Sequence, residues 1–241
     1  MSEIDPLYWI GRKLERLAEL TDDDRAGIAA LTFRLEQVPA GRHLIREGQV
    51  PEECCVLVEG FACRHKLTAD GGRQIVSFHL RGDILDIQHL LLDRADHNVQ
   101  MITAGLVAWL PKQDLIDLAS RQIAVGHALW RDSLIDASIF REWVLNVGRR
   151  DGRSRIAHML CEFAARCQAA GLGDADRFEL PMTQEQIGDA TGLTSVHVNR
   201  MLRALRDEGA IARTGRQVRI TDWTLLRAIA DFDPAYLHAA A

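Results

Sequence analysis

The chain has 241 residues, of which 47% are hydrophobic and 26% are charged, and its formal net charge is −5. This composition is typical of a globular protein with one or two domains. No apolar run reaches the roughly 18 residues that a membrane span requires, and the first residues lack the basic start and apolar core of a signal peptide. We therefore expect a cytoplasmic protein that has no membrane span.

The first part of the chain changes from a helical to a β-rich pattern. Helices are predicted at Tyr8–Leu20 and Asp22–Leu31, the second with Thr21 as its N-cap. Short runs rich in strand-forming residues then alternate with glycine-containing turns as far as Trp109, which favours a sandwich or barrel. The predicted strands are Leu35–Val38, His43–Arg46, Cys54–Val58, Phe61–Leu67, Gln74–His79, Val99–Thr103 and Val107–Leu110.

A long helix is predicted next. A short helix, Lys112–Ala119, precedes a proline-free stretch from Gln122 to Gly148. Its apolar arc is broader than one small domain usually covers, so we expect the helix to pack on its own domain and on a second copy of the chain. The alternative is a core helix that lies wholly inside one domain. The predicted polar face consists of Arg131, Ser138, Glu142, Asn146 and Arg149, and the predicted dimer interface of Leu129, Trp130, Ala137, Phe140, Val144 and Val147.

Charge is distributed unevenly along the chain. Residues 1–148 have a net charge of −6, whereas residues 149–221, with 12 arginines and 9 acidic residues, have a net charge of +3. A further helix, Arg153–Ala170, opens this basic part with Asp151 as its N-cap. A locally basic face can bind nucleic acid even when the whole chain is acidic.

Residues 182–211 carry the most specific functional pattern. Thr183 and Gln186 match a capping box at the start of a helix, and Gly192 predicts a tight turn into a second helix. That second helix exposes Asn and Arg side chains, which can bond adenine and guanine in the major groove. A hairpin with a predicted turn at Thr214-Gly215 adds a basic wing. The alternative is a solvated surface helix. The predicted DNA-binding residues are Thr183, Thr194, Ser195, His197, Asn199, Arg200, Arg203, Arg206, Arg213 and Arg216.

The remaining reactive side chains do not form a recognisable catalytic or metal-binding motif. We therefore predict no catalytic residue and no metal ligand, and we interpret the cysteines as small buried hydrophobic side chains. A redox or metal role for the cysteines, and haem or metal ligation by the histidines, are the alternatives. The residues concerned are Cys54, Cys55, Cys63, Cys161, Cys167, His43, His65, His79, His89 and His97.

Over roughly residues 20–222 the chain resembles the Crp–Fnr family of transcription regulators. The resemblance rests on Pro39-Ala40-Gly41, Val58-Glu59-Gly60, Gly82-Asp83-Ile84, Arg155-Ile156-Ala157 and the series from Thr183 to Leu205. It implies an α+β fold with an N-terminal β-roll, a double-stranded barrel like that of cyclic-nucleotide-binding domains, over residues 1–111. A dimerisation helix region (112–149) and a C-terminal winged helix-turn-helix with a final helix (150–241) would follow. The implied partners are palindromic double-stranded DNA, a second copy of the chain and RNA polymerase.

The effector positions depart from the family pattern. Asp86-Ile87 stands where cyclic-nucleotide binders have Gly-Glu, and Phe140-Arg141 stands where they have two hydroxyl residues. An ungapped match places Ala95-Asp96 at the phosphate-binding Arg position, whereas a shift of one residue places Arg94 there. These residues argue against cyclic AMP, and acidic neighbours would repel its phosphate. The candidate effector pocket is Asp86, Ile87, Arg94, Phe140 and Arg141, and the effector is unknown.

Two further positions differ from relatives in the family. The oxygen-sensing branch requires a cysteine cluster near the N-terminus, whereas the first cysteine here is Cys54, which argues against an iron–sulfur cluster. Many relatives have Glu where Val196 stands, so the DNA site should differ from theirs at that base pair. The rival functions are a constitutive DNA-binding regulator with a degenerate pocket, and a haem or small-molecule sensor whose output is a protein contact.

Overall fold

The computed structural model describes residues 5–174 and 176–238, so residues 1–4, on which the signal-peptide interpretation partly rests, lie outside it. Contacts between residues divide the chain into two units. Among the described residues, unit 1 contains 5–65 and 78–137, and unit 2 contains 66–77 and 138–238. This division by contacts falls inside the long helix, whereas the division expected from the sequence has its boundaries on either side of that helix.

Two antiparallel sheets have the strand orders β1-β7-β3 and β2-β6-β4-β5, and their strands belong to unit 1 apart from the end of β4 and most of β5, which fall within residues 66–77 of unit 2. The β-rich character predicted between the first helices and Pro111 is confirmed. In chain order the elements are α1 (Pro6–Glu15), α2 (Asp22–Ala29), β1 (Arg34–Val38), β2 (His43–Ile45), β3 (Glu53–Glu59), β4 (Ala62–Leu67), β5 (Arg73–His79), a short 3-10 helix (Ile87–Leu90), β6 (Asn98–Met101), β7 (Gly105–Pro111), α3 (Lys112–Arg121) and α4 (Ile123–Arg149).

The core of unit 1 follows the alternation of side chains along β3. Val56 and Val58 point into a cluster that α1, α2, α3 and the start of α4 complete. Leu57 points the other way, into a cluster with Val99 and Val107. Successive side chains of a strand point to opposite faces, so one strand contributes to both hydrophobic layers. The result is a β-roll with helices against one of its sheets.

The long helix α4 exposes apolar side chains and buries polar ones. Trp130, Phe140 and Val144 are 66%, 49% and 59% exposed, respectively. Ser138 and Asn146, expected on a polar face, are instead buried. Asn146 is accommodated because its side-chain amide donates to the carbonyl of Arg155 at 3.3 Å. The apolar surface of α4 is therefore available to a further partner.

Unit 2 consists of helices around a four-stranded sheet with the order β10-β11-β9-β8. Asp151 caps its first helix as predicted, accepting from the N–H groups of Arg153 and Ser154. The elements are α5 (Gly152–Ala169), β8 (Gly173–Asp174), β9 (Arg177–Glu179), α6 (Gln184–Thr191), α7 (Ser195–Asp207), β10 (Ile211–Thr214), β11 (Gln217–Ile220), α8 (Trp223–Ala230) and a short 3-10 helix (Pro234–Leu237).

A buried polar network joins α4, α5 and the C-terminal segment within unit 2. The Glu162 carboxylate accepts hydrogen bonds from the Trp143 indole N–H, 3.0 Å from each oxygen, and from the Tyr236 hydroxyl at 2.8 Å. Burial raises the pKa of Glu162, and Arg166, 3.5 Å away, opposes that shift. Because buried polar groups are costly unless paired, these contacts hold α5 against α4 and the C-terminal segment.

Candidate nucleic-acid interface

The first helix of the interface, α6, begins and ends as the sequence predicts. The Thr183 hydroxyl accepts from the Gln186 N–H at 3.2 Å, and the Gln186 side chain accepts from the Thr183 N–H at 2.9 Å. Gly192 ends the helix with φ +67°, a conformation that glycine adopts without strain. Gly188 lets the next segment approach, since a Cβ there would lie 2.4 Å from the Leu193 carbonyl oxygen. The turn is therefore tight enough for α7 to follow α6 at a steep angle.

The second helix, α7, separates its side chains into a buried and an exposed face. Thr194 caps it by accepting from the His197 N–H at 3.3 Å. The buried side chains are Val198, Leu202 and Leu205. The predicted contact residues Ser195, Arg200 and Arg203 are exposed, and Asn199 is half-buried.

The arginines of α7 differ in their partners. Arg206 donates to Asp207 at 2.9 and 3.1 Å, so an acidic neighbour already offsets its charge. Arg200 and Arg203 have no salt bridge to another residue in the part of the chain that the structure describes. Their guanidinium groups are thus available for bases or phosphates.

Besides Thr194, which caps α7, two of the predicted DNA-binding residues have local structural roles. The hydroxyl of Thr183 is engaged in the capping box of α6. The ring of His197 packs against α5, since a Cβ on Gly152 would lie 2.9 Å from its Nε2 atom. The outward position expected for His197 is only partly available, because its side chain is half-buried.

The hairpin β10–β11 follows α7 directly in the chain and forms the predicted wing, which contains several arginines. Thr214 pairs with Gln217, so the turn consists of Gly215 and Arg216, one residue later than predicted. Gly215 has φ +61° and meets the requirement of a two-residue hairpin for positive φ. Arg216 therefore sits at the tip, with Glu179 4.0 Å away, and Arg213 donates to the Gly215 carbonyl at 3.0 Å.

Arg155 is a positioning residue whose role the sequence reasoning missed. Its Nε donates to the Arg150 carbonyl at 2.8 Å, and a terminal nitrogen donates to the Thr191 carbonyl at 3.1 Å. One planar guanidinium thus joins the end of α4 to the end of α6. The motif Arg155-Ile156-Ala157 was visible in the sequence, but the two carbonyls that it satisfies are distant along the chain.

An ion pair holds α6 from another side. Unit 2 includes the tip of the β4–β5 hairpin, where the Arg73 guanidinium donates to the Asp189 carboxylate at 2.7 and 2.6 Å. Gln74 donates to the Ala190 carbonyl at 3.2 Å. Both acceptors belong to the last turn of α6. No local pattern indicates this contact, because the partners are more than a hundred positions apart.

Two of the candidate effector residues of unit 1, Asp86 and Ile87, lie in a buried cluster together with histidines. Asp86 is fully buried and accepts from the Cys55 N–H at 3.0 Å through one carboxylate oxygen. His89, also fully buried, lies with Nδ1 3.8 Å from the other oxygen, and its ring stacks on that of His97 at 5.5 Å. Neither ring nitrogen of His89 has a hydrogen-bond partner among the described residues. Ile87 is buried beside them.

Arg64 was not among the predicted pocket residues, although it contacts the same region. It pairs with Asp136 at 2.6 Å and donates to the Leu85 carbonyl at 3.2 Å. A single arginine inside the predicted strand Phe61–Leu67 was the signal that could have identified it. Arg94, by contrast, is exposed and donates to the Gly48 carbonyl at 3.2 Å. Phe140 and Arg141 are exposed on α4.

Burial of histidine makes stability depend on pH. It lowers the pKa of His97 to about 4, with Arg64 adding to the shift and Asp96 opposing it. It also lowers the pKa of His158 to about 3, with Arg150 adding to the shift. Each folded-state pKa lies below the unfolded value of about 6.5, so the unfolded chain binds protons first as the pH falls. This stabilisation is complete above about pH 6.5 and is lost progressively toward pH 4 and below.

We therefore expect the free energy of unfolding to fall from pH 7 to pH 5, by up to about 1.4 kcal/mol per pH unit for each of these histidines. Urea unfolding at several pH values measures it. His97→Gln should flatten the pH dependence. An equal pH dependence in wild type and His97→Gln would show that the pKa of His97 is the same in the folded and the unfolded chain.

All five cysteines are buried, and burial raises the pKa of Cys161 and Cys167 to about 12. Across residues 5–174 and 176–238, no group of three or more His, Cys, Asp or Glu side chains is arranged to hold a metal ion. Over the same residues, no helix combines the length and the apolar character needed to cross a membrane. The thiols of Cys161 and Cys167 accordingly remain protonated at neutral pH and pack as apolar side chains.

A capped helix, a left-handed glycine turn, an arginine-bearing second helix and a basic hairpin together define a winged helix-turn-helix DNA-binding protein. In this protein the DNA-binding part in unit 2 is combined with the β-roll of unit 1.

Comparison with known proteins agrees with this class. Residues 154–229 match the model of the Crp-like helix-turn-helix domain, and residues 35–122 match that of the cyclic nucleotide-binding domain. The chain is 30% identical to the transcriptional activator protein FnrL of Cereibacter sphaeroides over 78% of this chain and 76% of the relative. The chain therefore belongs to the Crp–Fnr family and is a DNA-binding transcription regulator.

Further relatives extend the same result. The transcriptional activator protein Anr of Pseudomonas aeruginosa is 24% identical over 88% of this chain and 86% of its own length. The solved structure of FixK2 from Bradyrhizobium japonicum has a TM-score of 0.76 and 26% identity, covering 83% of this chain and 98% of that one. The fold predicted from the sequence, with its β-roll, long helix and winged helix-turn-helix, is confirmed.

Proposed function

We propose that the protein is a cytoplasmic homodimer that binds a palindromic DNA site through α7 and the β10–β11 hairpin, and that RNA polymerase is a further partner. The observation that carries this proposal is the outward presentation of Arg200 and Arg203 without acidic partners among the described residues. In this proposal Ser195 and Asn199, which lie near these arginines, contact base edges, and Arg216 contacts a phosphate. A regulator of this kind binds specifically because two copies of α7 enter successive major grooves.

The α4 surface supports the dimer. Its exposed Trp130, Phe140 and Val144 recur at helical spacing on one side of the helix, and isolated apolar patches of this kind mark protein contacts. Ala137 is exposed on the same helix, and Val147 is half-buried. Leu129 is already buried in the core of unit 1, so we leave it out of the proposed interface.

Selection from a random duplex library tests the proposed function. We expect an inverted repeat whose half-sites are centred about one helical turn, about 34 Å, apart. Affinity should fall steeply with salt, since phosphate contacts release counterions. Deleting one half-site should reduce the affinity nearly to that for scrambled DNA. Equal affinity for the selected and the scrambled duplex would refute the proposal.

The proposed controlling signal acts at the β-roll and differs chemically from cyclic AMP. Asp86 places a buried carboxylate where a ribose and phosphate would have to approach, and Arg64 already pairs with Asp136. Negative charges near a phosphate cost binding energy most strongly in a buried site. A constitutive regulator with a closed pocket is the alternative, and ligand-independent affinity for the operator would favour it.

We therefore expect no heat of binding when cyclic AMP is titrated into the protein at micromolar concentrations. A titration of the selected operator into the same sample serves as the control that the protein is competent. Binding of cyclic AMP at micromolar or tighter affinity would contradict this assignment of the pocket.

A further inference from the structure

Val196 stands out on α7 because it is an apolar side chain that is 79% exposed. It belongs to the first turn of the helix, whereas Val198, two residues later, is buried in the core. Valine also forms helices less readily than Ala, Arg, Lys or Glu, so helix propensity does not account for it there. The folded chain thus gains little from valine at this position.

Val196 shares a face of α7 with the predicted DNA-binding residues. Residues three, four and seven positions apart share one face of a helix, so Val196 lies on the same face as Asn199, Arg200 and Arg203. The N-terminal part of a recognition helix is the part that reaches base edges. Val196 is therefore on the base-reading side of α7, one turn before Arg200.

The chemistry of the major groove limits what a valine can contact there. Its side chain has no hydrogen-bond donor or acceptor. Guanine, cytosine and adenine present donors or acceptors at their major-groove edges, and a branched aliphatic group would desolvate these without pairing them. Thymine alone also presents an apolar group, its 5-methyl, which apolar side chains contact.

We propose that Val196 determines part of the operator sequence by packing on the 5-methyl group of a thymine in each half-site. This inference deepens the proposed function and rests on it, because it needs α7 in the major groove. Side chains four residues apart on a helix are about 5–6 Å apart at Cβ, and bases on one strand are about 3.4 Å apart along the axis. The thymine is accordingly within about two base pairs of the guanine that Arg200 contacts.

The experiment replaces single thymines of the selected operator with deoxyuridine, symmetrically in both half-sites. Uracil keeps the hydrogen-bonding edge of thymine and lacks only the methyl group. At one thymine within two base pairs of the Arg200 guanine, we expect wild-type affinity to fall about fourfold per half-site and about fifteenfold for both, the value of one buried methylene-sized group. Fluorescence anisotropy at fixed salt measures it.

Val196→Ala completes a double-mutant cycle with this substitution. The variant should bind the thymine operator with a similar loss and should not distinguish thymine from uracil. Val50→Ala, the same substitution at an exposed valine of unit 1, is the matched control and should retain the distinction. Uracil placed outside the half-sites should have no effect on any of the three proteins. The Val196→Ala variant should keep its fold, since the Val196 side chain lies outside the core.

Two results would overturn the inference while leaving the proposed function intact. One is equal wild-type affinity for thymine and uracil at every position of the half-site. The other is Val196→Ala discriminating thymine from uracil as strongly as the wild type. A third result, the absence of any preferred duplex in the selection, would refute the proposed function itself and remove the basis of this inference with it.

Discussion

Replacing Arg200 with alanine should weaken binding to the cognate palindrome by roughly 5- to 150-fold per half-site, the range for one bidentate contact with guanine. Arg200 is exposed on α7, beside Asn199 and one turn after Val196. No acidic side chain in the described part of the chain pairs with it, so no ion pair has to be broken for its guanidinium to reach a base. The loss should be accompanied by a flattened preference at one symmetric base pair.

The matched control is Arg216→Ala at the tip of the β10–β11 hairpin. A phosphate contact carries no sequence information, so this variant should weaken all duplexes by a similar factor and reduce the salt slope by about one unit. Fluorescence anisotropy on the operator, its single-base variants and a scrambled duplex at several salt concentrations separates the two effects. If Arg200→Ala lowers affinity equally for all of these duplexes, Arg200 contacts the backbone and not a base.

The parts of this molecule that could be predicted from its sequence are those whose causes are local. The capping box at Thr183 and Gln186 involves residues three apart, and the structure contains both of its hydrogen bonds. Gly192 is required by its own backbone conformation. The same holds for the alternation along β3, which follows from the geometry of a single strand.

The orientation of α4 could be predicted only in part. Periodicity gave the length of the helix and the existence of two faces. It did not indicate that Asn146 would be buried, since the carbonyl that it satisfies belongs to Arg155 on the next helix. A polar residue is buried where a distant backbone group needs a donor, and that need is not visible in a local pattern.

Pairing between distant segments explains the other differences. The wing turn lies at Gly215-Arg216 because the register of β10 and β11 is set by the sheet that β9 also joins. The short strand β9 joins this sheet through the pairing of Phe178 with Val218. In unit 1, His89 and His97 stack across a 3-10 helix and a loop. Neither residue type nor spacing predicts such a stacked pair.

The proposed dimer should dissociate when Phe140 and Val144 are both replaced by aspartate. The two side chains are four residues apart on the exposed side of α4, so the double variant places two carboxylates in the centre of the apolar surface. Burying an unpaired carboxylate against a second copy is far more costly than leaving it in water. Both side chains are exposed, by 49% and 59%, so the monomer should keep its fold, which circular dichroism can verify.

Light scattering should accordingly give the mass of one chain for the double variant and of two chains for the wild type. Affinity for the palindrome should fall at least about a thousandfold, toward the non-specific level, because one recognition helix alone holds one half-site. The matched control is Leu91→Asp with Leu92→Asp, since these side chains are 89% and 55% exposed and lie outside α4. We expect this control to remain dimeric and to bind the operator. A double α4 variant that still has the mass of two chains would show that the copies associate through another surface.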